Sequence, residues 1–249
     1  PTWYSVTSNE GTISSLADET YVSRAHSLGI EVWALIDDFN TEVNMEEVLS
    51  RTSRREKLIN ELISSAIKYD LDGINIDFEH IPQDAGIHYV QFLRELSIRC
   101  RSNGLVLSTD NYVPSEYRSY YDIEEQGVLV DYVVIMAYDE HYRGSSESGP
   151  VASIKFVEDA IEKTIAMVPK EKILIGIPFY NRMWKEDDSG IVEVIDLAMT
   201  NAEDMFRVNG VEAEWDKQTG LSYGEYEKDG FIYKMWLEDE SSIDLKLQT

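Results

Sequence analysis

One rhythm constrains this chain more than any other feature: short apolar stretches alternate with amphipathic helical segments along most of its length. Residues 30–36 (IEVWALI), 73–79 (GINIDFE), 105–109 (LVLST), 130–138 (VDYVVIMAY) and 172–180 (KILIGIPFY) read as strands. Several are almost continuously apolar, as strands buried on both faces are. The helices between them show one-faced spacing. Tyr21, Val22, Ala25 and Leu28 precede a closing Gly29, and Leu58, Ile59, Leu62, Ile63, Ala66 and Ile67 recur over 53–69. Further helices are expected over about 87–102 and 151–167. Repeated helix–strand units build a parallel sheet covered by helices, either doubly wound or closed as a (β/α)8 barrel. With residues 2–6 and 231–236 the strands number about seven, against the eight of a closed barrel. The expectation is an α/β fold, a (β/α)8 TIM barrel lacking its first strand and last helix, as one catalytic domain over 1–249. Residues 183–230 interrupt the rhythm with acidic, turn-rich sequence, and are expected to form a small α+β insertion before the last strand.

Composition narrows the partners. A net charge of −25 would repel nucleic-acid phosphates and anionic membrane surfaces alike. No run approaches the ~20 apolar residues of a membrane span. The single cysteine, Cys100, follows Leu93 and Leu96 at helical spacing and reads as a buried core thiol. The chain opens on Pro1 with neither an initiator Met nor a signal-like segment, as a processed or excised piece does. A monomer is expected.

The most informative stretch is 72–79, Asp-Gly-Ile-Asn-Ile-Asp-Phe-Glu. In a strand, Ile74, Ile76 and Phe78 face one side, and Asn75, Asp77 and Glu79 the other. Carboxylates side by side on a buried strand repel each other and lose hydration. That cost points to chemistry. Barrel active sites lie at the C-terminal ends of strands, and those ends carry Asp37 and Asp38, then Asp77 and Glu79, Asp110, Tyr138 with Asp139 and Glu140, Tyr180 with Arg182, and Trp236.

These segments together resemble glycoside hydrolase family 18, the chitinase-like (β/α)8 hydrolases. DGINIDFE is similar to the family's Asp-x-x-Asp-x-Asp-x-Glu signature, MAYDEH (136–141) to its Met-x-Tyr-Asp segment, and GIPFYNR (176–182) to its Gly-x-Pro-x-Tyr-Gly-Arg. PTWYS, the Gly-Pro-Val-Ala-Ser at 149–153 and MWLED (235–239) resemble the bacterial spore and cell-wall branch, whose members cleave N-acetylglucosaminyl bonds in peptidoglycan or chitin-like chains.

The resemblance implies substrate-assisted hydrolysis of β-1,4-linked N-acetylglucosamine bonds with retention of configuration. Glu79 would be the acid and base, Asp77 the orienter of the acetamido N–H, and Tyr138 the partner of its carbonyl. Trp236 would floor the sugar. Asn75, Met136, Asp139, Tyr180, Arg182, Trp3 and Asp110 complete the expected substrate-binding set. No metal or cofactor is expected, since no His shares the inward face with the acids. The expected partner is an N-acetylglucosamine-containing polysaccharide, peptidoglycan before chitin, and the expected location is extracellular, at a cell wall or spore. A chitinase, an endo-N-acetylglucosaminidase and a non-catalytic chitinase-like binding protein are the alternatives. Asn75 departs from the signature's second Asp, so relay schemes that need two buried aspartates do not transfer.

Overall fold

The alternation is realised as a seven-stranded sheet in a computed structural model that describes residues 1–249. Its strands are β1 (Thr2–Val6), β2 (Ile13–Ser15), β3 (Trp33–Asp37), β4 (Gly73–Asp77), β5 (Val106–Tyr112), β6 (Tyr132–Met136) and β7 (Ile173–Gly176). They lie in the order β2-β1-β3-β4-β5-β6-β7, with β2 folded back antiparallel on β1 and with β1, β3, β4 and β5 parallel. Six helices intervene along the chain: α1 (Glu19–Ser27), α2 (Met45–Ser50), α3 (Thr52–Lys68), α4 (Gly86–Ser102), α5 (Ile123–Leu129) and α6 (Ile154–Ile165). This is the helix–strand alternation of a TIM-barrel-like fold, as the sequence predicts.

The chain divides into two compact units, residues 1–135 with 164–174, and residues 136–163 with 175–249. In the first, the apolar row of β4 is buried. Ile74, Ile76 and Phe78 are each no more than 1% exposed, and the Phe78 ring stacks on Phe92 of α4 at 5.7 Å. Leu58, Leu62 and Ile63 of α3 and Leu93, Leu96 and Cys100 of α4 extend the same layer. Each buried aliphatic side chain contributes roughly 1.5–3 kcal/mol, so this layer fixes which face of β4 turns inward. Asp72, just before β4, accepts from the Val32 amide at 2.7 Å and meets His26 Nε2 at 2.8 Å, pinning the entry to the strand.

The second unit contains an antiparallel sheet of β8 (Tyr180–Asp187), β9 (Gly190–Ala198), β10 (Glu214–Asp216), β11 (Leu221–Lys228) and β12 (Phe231–Leu237), in the order β10-β11-β12-β8-β9. Helix α7 (Met199–Asn209) packs Ala202 and Phe206 against Met183, Met235 and Leu237 of that sheet. Helix α8 (Glu240–Leu247) is anchored by Lys246, whose ammonium lies 2.8 Å from Glu238, both side chains being almost fully buried.

Two expected strands differ from the observed ones. Residues 172–180 are not one strand: β7 stops at Gly176, Pro178 has no N–H to donate to a ladder, and Tyr180 opens β8. Residues 231–236 form a strand, but it pairs antiparallel with β11 and β8. An apolar run such as FIYKMW encodes burial and not the direction of its neighbours.

Gly73 shows how tightly β4 is seated. A Cβ there would lie 2.8 Å from Trp33 Cδ1 and 2.9 Å from the Val106 carbonyl oxygen. Gly73→Ala is expected to cost about 1–3 kcal/mol through overpacking, measured as a lower urea midpoint at unchanged m-value. An unchanged midpoint would show that the strand has slack.

Candidate active site

The inward face of β4 carries Asn75, Asp77 and, just past the strand end, Glu79. Parallel register aligns this row with its neighbours. Asp37 of β3 lies opposite Asp77, Ser5 of β1 opposite Asp37, and Ser108 of β5 opposite Asn75. One step beyond the last paired residues, Ile76 and Thr109, stand Asp77 and Asp110. Three carboxyls, Asp37, Asp77 and Asp110, therefore stand abreast on adjacent strands, which are ~4.8 Å apart in any sheet. Two ionised carboxylates ~5 Å apart repel by about 3 kcal/mol at an effective dielectric of ~20.

Neutral donors absorb part of this charge. Ser5 Oγ donates to Asp37 Oδ1 at 2.6 Å. Asn75 Nδ2 donates to Ser108 Oγ and to Asp110 Oδ1, each at 2.9 Å. Asn75 thus serves as a donor to a carboxylate on the next strand, and an acid absent from position 75 is present at Asp110. A cavity of about 270 Å³ opens on this face, lined in part by Leu35, Asn75, Ser108, Asp110 and Val134.

Asp77 receives no such help. It is 9% exposed, and its Oδ1 is buried without a hydrogen-bond partner. Burial, then the charges of Asp110, Glu79, Asp38 and Asp37, push its carboxyl up to about 7. Burial also raises Asp110 to about 6, against the opposing pull of the Asn75 hydrogen bond. Near neutrality the row holds a proton that an ordinary carboxylate would have released.

Glu79 is held at two points. Its backbone amide donates to Asp38 Oδ1 and the His80 amide to Asp38 Oδ2, both at 2.9 Å. Its side chain accepts a short hydrogen bond from the Tyr112 hydroxyl at Oε2. The Arg118 guanidinium lies 3.5 Å above the Tyr112 ring. His80 is largely exposed and contacts Asp38 through Nδ1 at 3.3 Å, in keeping with a structural place.

The second unit assembles another group of the expected residues. Asp139, with φ of 58°, accepts from the Tyr180 hydroxyl at 2.5 Å and pairs with Arg182 Nη1 at 2.9 Å. Arg182, 4% exposed, also donates through Nε to Asp196 Oδ1 at 2.7 Å, and Arg143 donates to the other oxygen of Asp196 at 2.8 Å. The Tyr138 and Tyr180 rings meet edge to face at 6.4 Å. Met136 is buried at the end of β6. Trp236 of β12 lies 4.7 Å from the ring of Tyr223. Trp3 packs edge-on against Tyr21 of α1 at 5.2 Å and is not part of the acid row.

Asn75, Asp77, Glu79 and Asp110 are thus brought together in the first unit, and Tyr138, Asp139, Tyr180 and Arg182 in the second. Sequence reasoning missed Ser108, Tyr112, Arg118 and Asp196, and noted Asp37 and Asp38 only as strand-end acids. Ser108, Asp110 and Tyr112 alternate with Leu107, Thr109 and Asn111, a period-2 signal that continues β5 beyond its apolar part.

The raised Asp77 carboxyl has a sign for stability. Below about pH 4 both folded and unfolded chains hold this proton, so nothing is lost; between about pH 4 and 7 the unfolded chain ionises while the folded one resists, and stability falls. Asp77→Asn keeps the position neutral. It is expected to raise Tm at about pH 8, by about 2–4 °C for each kcal/mol recovered, and to flatten the decline between about pH 4 and 7. Parallel curves of Tm against pH for the two proteins would contradict the buried-proton account.

Comparison with known proteins fits this geometry. YdhD of Bacillus subtilis (strain 168), provisionally described as a sporulation-specific glycosylase, is 32% identical over 225 residues, which is 84% of this chain and 51% of that protein. A cortical fragment-lytic enzyme of the same organism is 28% identical over 208 residues, covering 80% of this chain and 48% of the relative. The chain spans about half the length of these relatives. The crystal structure of YdhD superposes with a TM-score of 0.91 at 26% identity, over 99% of this chain and 84% of that one. The profile of Glycosyl hydrolases family 18 matches residues 12–249. With 32% identity to one relative and a profile match over nearly its whole length, the chain belongs to glycosyl hydrolases family 18.

Proposed function

We propose that this protein cleaves β-1,4-linked N-acetylglucosamine bonds in peptidoglycan of the spore-cortex or cell-wall type, by substrate-assisted retaining catalysis. The observation that carries the reading is the unpartnered, buried Asp77 Oδ1, on a strand whose next inward residue is Glu79. A buried acceptor without a donor costs about 1–3 kcal/mol. An acetamido N–H of the substrate is a donor of the required kind.

In this mechanism the acetamido oxygen attacks the anomeric carbon as the bond from that carbon to the leaving oxygen breaks. Glu79 gives its proton to the leaving oxygen. In its ionised form, which a carboxyl raised to about 7 still populates near neutrality, Asp77 accepts the acetamido N–H and offsets the positive charge that develops on the resulting oxazolinium ring. Water then attacks the anomeric carbon as the bond from that carbon to the acetamido oxygen breaks and the acetamido group reopens. Glu79 takes the water's proton, and the two inversions leave the configuration unchanged. General acid–base help of this kind is worth about 10²–10⁴-fold. Tyr138 as partner of the acetamido carbonyl, Asp139 beside it, Met136 as pocket lining and Trp236 as apolar floor are assigned from their family motifs. Tyr180 and Arg182 support Asp139. Peptidoglycan is preferred over chitin because relatives at 32% and 28% identity are named for sporulation and for cortical fragments. An extracellular, spore- or wall-associated location follows from the same preference.

Glu79→Gln keeps the size of the side chain and removes the transferable proton. On peptidoglycan glycan fragments and on chitin oligosaccharides, with products identified by mass, it is expected to lower turnover at least about 10²-fold while Tm changes little. Equal product release by both proteins would sink the catalytic assignment. Cleavage of the chitin oligosaccharides alone would overturn the substrate preference, and sugar binding without turnover by the wild type would indicate a binding protein.

A further inference from the structure

We propose that Tyr112 is a positioning residue for the acid–base step, holding Glu79 Oε2 so that the transferable proton sits on Oε1. The inference rests on Glu79 being the acid, and the chain's own geometry carries the rest. In the parallel pairing of β4 with β5, Asn75 lies opposite Ser108. Continuing that register by four residues brings Glu79 level with Tyr112, the last residue of β5. Strand β5 therefore places polar partners beside both ends of the acid row. Ser108 and Asp110 take the amide of Asn75, and Tyr112 takes the carboxyl of Glu79. Asp77, between them, is left open.

The contact is built to persist. The Glu79 backbone is tied to Asp38 through two amides. The Tyr112 ring is covered by the Arg118 guanidinium at 3.5 Å, a cation–π contact that limits rotation of the ring. Burial and the neighbouring Glu79 carboxyl push the Tyr112 hydroxyl well above the usual phenol range, so it remains a donor wherever the enzyme would work. The single proton of that hydroxyl is directed at Oε2, which distinguishes the two oxygens of Glu79. Oε2 accepts from Tyr112, and the proton is left to Oε1, which can pass it to the leaving oxygen.

The bond also changes strength along the reaction. With Glu79 protonated, Tyr112 donates to a neutral carboxyl. As the proton moves to the leaving oxygen, the same hydroxyl donates to a developing carboxylate, and charge-assisted hydrogen bonds are roughly twice as strong as neutral ones. An interaction stronger in the transition state than in the ground state raises kcat and leaves KM alone. Its value also depends on how much proton transfer the leaving group needs. A sugar alkoxide needs it in full, whereas an aryl oxide departs with little.

Tyr112→Phe removes the hydroxyl and keeps the ring under Arg118. The experiment measures kcat and KM for wild type, Tyr112→Phe, Glu79→Gln and the double variant on N-acetylglucosamine oligosaccharides and on the 4-nitrophenyl glycoside of chitobiose. For Tyr112→Phe, kcat on the oligosaccharide is expected to fall about 10-fold or more with KM within about 2-fold, and kcat on the aryl glycoside to fall less than about 3-fold. In the Glu79→Gln background, adding Tyr112→Phe is expected to cost nothing further on either substrate. Equal losses on both substrates, a loss confined to KM, or full additivity in the double variant would overturn the positioning role and leave Tyr112 as packing. Full activity of Glu79→Gln would remove the acid itself, which is a separate result. A wild type that turns over neither substrate refutes the parent reading and this proposal with it.

Discussion

Everything distinctive in the first unit follows from aligning Asp37, Asp77 and Asp110 on three adjacent parallel strands. Parallel register leaves no freedom to stagger them, because a one-residue slip would turn Ile74 and Ile76 inward and the acids into the helix layer. The apolar row against α3 and α4 thus enforces the acidic one. Its burial holds the carboxyls where they repel, and the protein answers with neutral donors and a retained proton instead of cations. Asn75 and Ser5 supply hydrogen bonds that reduce charge density without forming ion pairs. A lysine or arginine in that row would have lowered the Asp77 carboxyl and occupied the oxygen that now stands free.

The identity of residue 75 acquires a physical meaning in this setting. An aspartate there would add one more carboxyl to the inward face, next to Asp110 and two residues from Asp77. Asn75 instead donates to Asp110, and the nearest acid to Asp77 on that side sits on β5. The charge that most strongly raises Asp77 comes from Asp110, after burial itself. Charge density is therefore kept while its position moves one strand over. Only the alignment of β4 with β5 makes the exchange visible.

That alignment also marks how much was legible in the sequence. The alternation of Ile74, Ile76 and Phe78 with Asn75, Asp77 and Glu79 is a local property of one strand, and it reads directly as two faces. The extent of β5 is not local in that way. Its last three residues, Asp110, Asn111 and Tyr112, lie beyond the apolar part and beyond Thr109, the last residue paired with β4, and only a polar alternation marks them as strand. The split of 172–180 was legible in principle through Pro178, whose missing N–H interrupts a ladder, but its apolar flanks hid the break. Direction of pairing was not legible at all for β12, since the same apolar residues suit a parallel or an antiparallel neighbour.

The second unit shows why two distant motifs need each other. Asp139 has left-handed backbone, φ 58°, a conformation that costs a non-glycine residue about 1–2 kcal/mol. It is retained because its carboxylate is gripped by the Tyr180 hydroxyl and by Arg182, and Arg182 is itself fixed by Asp196 across the β8–β9 ladder. The buried guanidinium is thus charge-balanced from two sides, with its remaining reach taken by the His141 carbonyl. Cutting any one of these ties leaves a buried cation or a strained turn without compensation, a loss larger than that of a surface ion pair. The antiparallel sheet is therefore more than an appendage to the helix–strand alternation. Its first two strands brace the Met-Ala-Tyr-Asp segment, so Met136 to Asp139 and Tyr180 to Arg182 form one mechanical element although some forty residues separate them.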